Sequence, residues 1–342
     1  MLIHYKCTSC GADMEFDSES GTLACGSCGN QQNIEEFPDE NILNEFAEDE
    51  AKEYECENCG AVVITDQDTT ATSCSFCGSA VVLADRLSGK LAPGKVIPFT
   101  ISKDEARRAF KKWCKNGRLT PAGFMTADRI KNITGMYIPF WIYDLNTRVK
   151  VEARGKKVRT YTRGDYIYTE TKHYDVYRDI DLYHTRIPAD ASAKMNDEIM
   201  DKLEPYHYQD LKEFKTPYLA GYLAEKYNYD EKELYPRVET KISPFVRSYV
   251  NSTISGYSSL EGRNEQIQNK KLNSTYVLFP VWMVYYDFER QEHTFAMNGQ
   301  TGKIVGKPPV SKQKAAIWIG GIAASSFVVM KLAAFLIGGV LW

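Results

Sequence analysis

The chain has 342 residues, of which 43% are hydrophobic and 25% are charged, a composition typical of globular rather than disordered proteins. At roughly 100–200 residues per domain, this length predicts two or three domains. The net charge of −3 is divided unevenly, because residues 1–90 carry four basic and eighteen acidic side chains, whereas residues 91–342 have a surplus of eleven positive charges. The acidic first segment argues against non-specific nucleic-acid binding by residues 1–90, since Lys and Arg drive that binding.

The cysteines are also concentrated near the start of the chain. Eight of the nine lie between residues 7 and 77, and all eight occur in C-x-x-C pairs. We expect no secretory signal before them, because no apolar stretch precedes Cys7. In a reducing compartment, such pairs favour metal binding over disulfide formation.

The cysteine-rich segment is an internal duplication. Residues 5–12 read YKCTSCGA and residues 54–61 read YECENCGA, while CGSCG at 25–29 returns as CSFCG at 74–78. Every match is offset by 49 residues, and fourteen residues separate the two cysteine pairs of each copy. The segment therefore predicts two small modules of the same kind.

The spacing within each copy is typical of a zinc ribbon. Two residues between cysteines form a tight knuckle that directs both sulfurs at one ion, and zinc takes four thiolates in a tetrahedron. The first predicted ligand set is Cys7, Cys10, Cys25 and Cys28, and the second is Cys56, Cys59, Cys74 and Cys77. A glycine follows each knuckle and allows a positive φ, as at Gly11, Gly29, Gly60 and Gly78. Redox-active pairs would not explain the duplicated spacing, whereas iron remains open as an alternative to zinc on ligand type alone.

The predicted fold class is α+β, with two small tandem four-cysteine zinc ribbons, a mixed α/β body and one C-terminal transmembrane helix. The predicted boundaries are ribbon 1 at 1–34, an acidic linker at 35–53, ribbon 2 at 54–84, the body at 91–306 and the anchor at 315–342. In the linker, Ile42, Leu43 and Phe46 lie at roughly helical spacing. Two alternatives follow for it, a short helical spacer or an acidic amphipathic docking helix.

Helix and strand patterns alternate through the first half of the body. Residues 102–105 form a capping-box pattern, and apolar residues follow it at helical spacing. Residues 136–143 read as a strand, and residues 149–176 read as further strand with turns near Gly155 and Gly164.

The second half of the body continues this mixture. A helix is predicted around residues 195–203 and another over 218–249, interrupted or kinked at its prolines, before a strand at 276–285. Asn298-Gly299 reads as a hairpin turn. The sequence IPFW at 138–141 is echoed by FPVW at 279–282, a weak indication that the body is itself pseudo-duplicated.

The C-terminal segment is predicted to span a membrane. Residues 315–330 carry no charge, and after Lys331 another eleven apolar or small residues follow. As a helix, 28 residues would extend about 42 Å, enough to cross a hydrocarbon core of roughly 30 Å. Lysines before the segment favour a cytoplasmic N-terminus, so we expect a single-pass protein of the cell membrane. The alternative is a buried helix of a soluble core.

No catalytic constellation stands out, so we predict no enzyme, no catalytic residues and no cofactor other than two zinc ions. The five histidines form no metalloprotease-like cluster, and Cys114 has no partner in sequence and reads as a core or surface thiol. Gly299–Lys303 resembles the end of a phosphate loop but lacks the four-residue gap and the Ser or Thr after the lysine.

The whole chain resembles a family of tandem zinc-ribbon membrane proteins of Gram-positive bacteria. The resemblance rests on the two ribbons, the segment YLAGYLAEK at 218–226, the hairpin NGQTGKI at 298–304 and the terminal anchor. Proteins of this kind are often labelled TFIIB-type zinc ribbons or replication-restart helicases, but this chain lacks the ATP-binding motifs of a helicase. The resemblance implies a membrane complex with a related zinc-ribbon protein and with SPFH-domain and PspA-type membrane-stress proteins.

Three function classes follow from these patterns. The first is a non-enzymatic membrane-anchored scaffold or adaptor that recruits cytoplasmic partners, and it is the expected one. The second is a nucleic-acid-binding zinc-ribbon protein linked to replication or transcription, disfavoured by the acidic head although the basic body could contribute. The third, an enzyme in the body, has no residue constellation in its support.

Overall fold

A computed structural model describes most of the body and parts of the cysteine-rich segment. The described residues are 2–3, 5–37, 52–55, 62–65, 69–73, 80–83, 93–115, 119–121, 124, 133–288 and 291–338. The predicted acidic linker lies largely outside them, as do the four cysteines of the second predicted ligand set.

The described residues form sixteen strands and four α-helices. The strands are β1 (Leu2–Ile3), β2 (Met14–Asp17), β3 (Thr22–Cys25), β4 (Gln31–Gln32), β5 (Lys52–Glu55), β6 (Val62–Thr65), β7 (Thr69–Ser73), β8 (Ala80–Leu83), β9 (Lys95–Val96), β10 (Thr134–Arg163), β11 (Tyr166–Asp190), β12 (Lys212–Glu213), β13 (Leu223–Glu225), β14 (Ser259–Phe288), β15 (Gln291–Asn298) and β16 (Ile304–Gly306). The helices are α1 (Lys103–Lys115), α2 (Asp197–Leu203), α3 (Tyr235–Thr253) and α4 (Lys312–Gly338). This content confirms a mixed α/β protein.

Most strands belong to one large sheet. Its described strands follow the order β1-β8-β7-β13-β10-β14-β15-β16, with β11 paired to β10, β9 to β14 and β12 to β9. Two small sheets stand apart, one formed by β2, β3 and β4 and the other by β5 and β6. The first and last thirds of the chain therefore meet in the same sheet.

Three long antiparallel strands, β10, β11 and β14, dominate this sheet. β10 pairs with β11 from Phe140 to the turn after Arg163, and with β14 from Thr134 to Lys156. At about 3.3 Å per residue, a strand of 30 residues extends roughly 100 Å. The sheet therefore projects far from the core at its base.

Helix α3 covers one face of this projection. Val149 and Val151 of β10 are fully buried beneath Val246 and Val250 of the helix. The alternation of buried and exposed residues along β10 is that of a strand with one covered face.

The cover of α3 ends at Gly155. A Cβ atom there would lie 2.5 Å from the ring of Tyr257, so only glycine allows the ring to pack over the strand. Beyond this point β10 and β11 continue as a two-stranded hairpin whose side chains are almost all exposed.

The core lies at the base of the sheet. Phe140 and Phe279 stack there with ring centroids 4.6 Å apart, and Tyr206 packs on Phe279 at 4.3 Å. Helix α1 buries Ala106 and Phe110 against the same end of the sheet. The two echoed sequence segments are direct neighbours in this core, since Ile138 pairs with Phe279.

Several local expectations are confirmed. Ser102 and Glu105 form the capping box at the start of α1, through hydrogen bonds of 3.0 Å and 3.4 Å between each side chain and the other residue's backbone N–H. α2 ends at Leu203 as the periodicity predicts. The chain reverses after Asn298, where the Gly302 N–H donates to the Asn298 carbonyl at 2.9 Å.

Two expectations are wrong. The turn near Gly155 does not exist, because β10 runs straight through that residue and turns only after Arg163. The helix predicted from Tyr218 is replaced by a short 3₁₀ turn and by β13, and α3 begins only at Tyr235. Pairing of β13 with β7 and β10 outweighs the helical propensity of this segment.

Helix α4 follows the sheet and differs from the other helices in its exposure. Its 23-residue segment Lys312–Ala334 is long and apolar enough to cross a membrane, and none of the most apolar window is buried against the rest of the chain. The helix agrees in position with the predicted anchor at 315–342, of which residues 339–342 lie outside the described part.

Candidate metal centre

The first cysteine-rich module is a hairpin with a knuckle at each end. In the first knuckle the Gly11 N–H donates to the Cys7 carbonyl at 2.8 Å, and in the second the Gly29 N–H donates to the Cys25 carbonyl at 2.9 Å. Both glycines have positive φ, 75° and 73°, as the sequence predicts. Strands β2 and β3 join the knuckles, with Met14 opposite Cys25.

The hairpin brings four sulfur atoms together. The Sγ atoms of Cys7 and Cys28 lie 3.5 Å apart, as do those of Cys10 and Cys25, and all four sulfurs lie within 4.8 Å of one another. A tetrahedral ion with bonds of about 2.3 Å would separate its sulfur ligands by about 3.8 Å. The four cysteines of the first predicted set therefore fit one metal ion, and their thiolate chemistry suits zinc or iron.

This site would be closed rather than catalytic. Cys7 and Cys25 are buried at 3% and 2% exposure, whereas Cys10 and Cys28 lie at the surface. Four protein ligands leave a tetrahedral ion no free position for water or substrate. A bound ion would hold the two knuckles together and supply folding free energy to a module with a very small core.

The electrostatics of the cluster favour partial ionisation of the thiols. Burial opposes ionisation of Cys7, but the backbone N–H groups of Ser9 and Cys10 outweigh it and lower the Cys7 pKa to about 6. The N–H groups of Cys28 and Ser27 lower the pKa of Cys25.

The other two thiols ionise less easily. An N–H from Asn30 lowers the pKa of Cys28, but the facing sulfurs of Cys10 and Cys7 outweigh it and raise that pKa to about 12. Four thiolates at this separation repel one another, so a cation is needed to keep all four ionised.

The module packs directly on the body. Phe16 of β2 is 4% exposed and contacts Tyr218 and Tyr222 at centroid distances of 5.4 Å and 6.3 Å. Its backbone N–H donates to the Ala220 carbonyl at 3.0 Å. Gly221 allows this approach, since it has a φ of 87° and lies against the side chain of Glu15.

Two further contacts flank this junction. The hydroxyl groups of Tyr5 and Thr216 are 2.5 Å apart, and Lys215 pairs with Glu35 at 3.0 Å. The sequence did not predict that residues 215–222 of the body pack on the hairpin, because the apolar pattern from residue 218 onward is typical of a helix.

The described strands of the second module repeat the first at the expected offset. The pairs Leu23↔Gln32 and Ala24↔Gln31 return as Thr72↔Val81 and Ser73↔Ala80. The bridge Lys6↔Asp13 likewise returns as Glu55↔Val62. The duplication is therefore present in strand register as well as in sequence. Its four cysteines lie outside the described residues.

Other residues noted in the sequence are buried in the fold. Cys114 is 6% exposed in α1, and burial raises its pKa to about 11. Gln300, in the segment 299–303 that resembles the end of a phosphate loop, is buried. Asn298 just before it is also buried, and its side-chain amide donates to the Leu203 carbonyl at 3.1 Å. Among the described residues, the four cysteines are the one group of His, Cys, Asp or Glu side chains whose ligand atoms lie close enough together to hold a metal ion.

Comparison with known proteins identifies a relative that matches the chain over its whole length. No protein-family model matches it, and no solved structure matches it. A protein of Bacillus subtilis (strain 168), the uncharacterized protein YdjG, is 65% identical over 339 residues, which cover 99% of both chains. At this identity and coverage, the chain belongs to the same family as YdjG.

Proposed function

We propose that the chain is a non-enzymatic, membrane-anchored zinc-ribbon scaffold that recruits cytoplasmic proteins to the cell membrane. The observation that carries the proposal is the uncovered helix α4, whose apolar side chains the body does not bury. Exposure of so many apolar groups is unfavourable in water and favourable in a bilayer.

The cysteine modules supply the rigid surface of such a scaffold. The first module has a fixed position on the body through Phe16 and Tyr218, so a metal-bound hairpin would present one constant surface. Repetition of its strand register around residues 52–83 supports a second four-cysteine site at Cys56, Cys59, Cys74 and Cys77. Two closed metal sites fit a binding role better than a catalytic one.

The partners proposed are those that the family resemblance implies. They are a related zinc-ribbon membrane protein and SPFH-domain or PspA-type membrane-stress proteins. The lysines at the start of α4 favour a cytoplasmic location for the N-terminal part of the chain, where such partners would be reached.

The test follows the location of a fluorescently tagged PspA-type protein in cells that produce the chain. We expect the tag at the membrane when the full chain is present, and diffuse fluorescence when the chain ends at residue 311. The variant Cys7→Ser/Cys10→Ser should also release the tag while the chain itself stays in the membrane. Cys114→Ala, which alters a cysteine outside both ligand sets, is the matched control and should behave as the unaltered chain.

A tag that remains at the membrane without the chain would contradict the scaffold. A tag that stays at the membrane with the Cys7→Ser/Cys10→Ser variant would contradict a role for the first ribbon.

A further inference from the structure

The hairpin beyond Gly155 has two unlike faces. We call residues 156–173 the tip hairpin. Side chains of directly paired residues share a face, and neighbouring pairs alternate between faces. One face holds the pairs Lys157↔Lys172, Arg159↔Glu170, Tyr161↔Tyr168 and Arg163↔Tyr166. The other holds Lys156↔His173, Val158↔Thr171, Thr160↔Thr169 and Thr162↔Ile167.

The first face is basic. It carries four cationic side chains and one acidic one. Glu170 pairs with Lys172 at 3.2 Å, while Arg159 and Arg163 have no ion-pair partner among the residues that the structure describes. Positive charge on this face is therefore available to an anion.

The same face is aromatic. The rings of Tyr161 and Tyr168 are stacked, with centroids 5.5 Å apart and planes at 14°. They are 43% and 45% exposed, and Tyr166 is 71% exposed. Arg159 lies 5.8 Å from the Tyr161 ring centroid, so cations flank the aromatic surface. These rings are held in position by strand pairing, although no core requires them.

The composition of this face distinguishes between partners. It has no aliphatic side chain, since Val158 and Ile167 are on the opposite face. An amphipathic helix needs an apolar groove, which is lacking here. Flat aromatic rings beside cations fit the bases and phosphates of single-stranded nucleic acid.

The tip hairpin lies at the opposite end of the sheet from the start of helix α4. Helix α4 begins beside Leu119 and Thr120, where the Ser311 N–H and the Lys314 ammonium group donate to their carbonyl groups at 2.7 Å and 2.8 Å. This is the base of the sheet, since β16 pairs with β15 there. Strand β14 runs from that base to Ser259, at the start of the tip hairpin, over about 80 Å at ~3.3 Å per residue. The face thus lies far along the sheet from the point at which α4 would enter a bilayer.

We propose that this face of the tip hairpin binds single-stranded nucleic acid. Bases stack on Tyr161, Tyr166 and Tyr168, and phosphates contact the flanking lysines and arginines. The inference goes beyond the scaffold role and is independent of it. It also agrees with the charge distribution, because the site lies in the basic body and not in the acidic head.

The test uses the full chain in nanodiscs of neutral phosphatidylcholine. Fluorescein-labelled oligo-dT and oligo-rU of fifteen nucleotides or so are titrated, and fluorescence anisotropy reports binding. With about four phosphates neutralised and a slope of roughly −0.7 per phosphate, affinity should fall about 50-fold between 50 and 200 mM salt.

Variants then assign the binding to this face. Tyr161→Ala and Tyr168→Ala should each weaken binding about tenfold, whereas Tyr161→Phe keeps the ring and should bind as before. Arg159→Ala/Arg163→Ala should weaken binding and reduce the magnitude of the salt slope by about 1.4. Thr160→Ala/Thr169→Ala alters the opposite face and is the matched control.

Three outcomes would overturn the proposal. One is the absence of binding at micromolar protein and 50 mM salt. Another is binding that the tyrosine and arginine variants leave unchanged. The third is co-flotation of the nanodisc-held chain with anionic but not neutral vesicles. If the same variants abolish it and no oligonucleotide binds, the face is a lipid contact. Circular dichroism of each variant excludes unfolding as the cause of a loss.

Discussion

Phe16 of the cysteine hairpin packs edge-to-face on Tyr218 of the body, with ring centroids 5.4 Å apart and planes at 66°. Through this contact the hydrophobic core of the cysteine hairpin is continuous with that of the body, since Cys7, Cys25 and Tyr218 belong to one buried cluster. Folding of the hairpin around an ion and its docking on the body are therefore expected to be coupled.

Replacing Phe16 by Ala should release the hairpin from the body. Removal of a buried phenylalanine side chain costs about 3–5 kcal/mol in a core, and Phe16 is 4% exposed. We expect faster limited proteolysis between residues 1–37 and the body and, because folding around the ion and docking are coupled, a weaker hold of the hairpin on its metal. Glu19→Ala, at an exposed position of the same hairpin, is the control and should leave the cleavage rate unchanged. Equal proteolysis of the Phe16 variant and the unaltered chain would show that the contact contributes little.

Metal analysis of the full chain should give two zinc ions. Cys7→Ser/Cys10→Ser removes two of the four sulfurs that lie within 4.8 Å of one another, so one ion should be lost and one retained. The measurement is elemental analysis by mass spectrometry after extensive dialysis, with Cys114→Ala as the control. A stoichiometry of one ion in the unaltered chain would mean that the ligand sets are grouped wrongly.

The buried Asp190 should make stability depend on pH. Burial raises its pKa to about 6, above the ordinary value of 3.8, although Arg237 pairs with it at 2.8 Å and acts in the opposite direction. Between these two values the folded state binds the proton more tightly than the unfolded state, so stability falls as pH rises through this range. Above pH 6 the loss amounts to about 3 kcal/mol.

The variant Asp190→Asn tests this dependence. Its stability relative to the unaltered chain should improve as pH rises from 4 to 7, apart from a constant offset due to Arg237. Denaturant unfolding at several pH values measures the difference. Parallel pH profiles for the two proteins would show that Asp190 does not titrate in this range.

A chain that ends at residue 311 should lose membrane association. Helix α4 provides the apolar segment Lys312–Ala334, and the body buries none of its most apolar window. We expect the full chain in the pellet after carbonate extraction and the shortened chain in the supernatant. Lys331→Leu should stay in the pellet, because a lysine near a helix end extends its charge to the interface and is not required for insertion. A shortened chain that still pellets would identify another membrane contact in residues 1–311.

The orientation is tested separately. Protease added outside protoplasts should leave residues 1–311 intact if the N-terminus is cytoplasmic. Cleavage of the body without lysis would reverse the predicted orientation.

Local chemistry made the four-cysteine cluster predictable from the sequence. A C-x-x-C knuckle needs only two intervening residues and a glycine with positive φ, and both features concern neighbours in the chain. The uncharged terminal segment is equally local, since its composition alone makes it long and apolar enough for a membrane. The capping box of α1 was predictable for the same reason.

Contacts between distant residues decided the rest. Gly155 reads as a turn, yet it lies inside a strand because the ring of Tyr257 occupies the space of its side chain. Residues 218–226 have an apolar pattern typical of a helix, yet they form a docking surface and a strand because β7, β10 and Phe16 pair or pack with them. Likewise, the tyrosines and arginines of the tip hairpin share one face only through the register of β10 with β11. The sequence by itself indicated the cysteine cluster and the apolar terminal helix, because the pattern of each is contained in short segments. Strand register and packing depend on partners far along the chain, and only the tertiary structure brings these together.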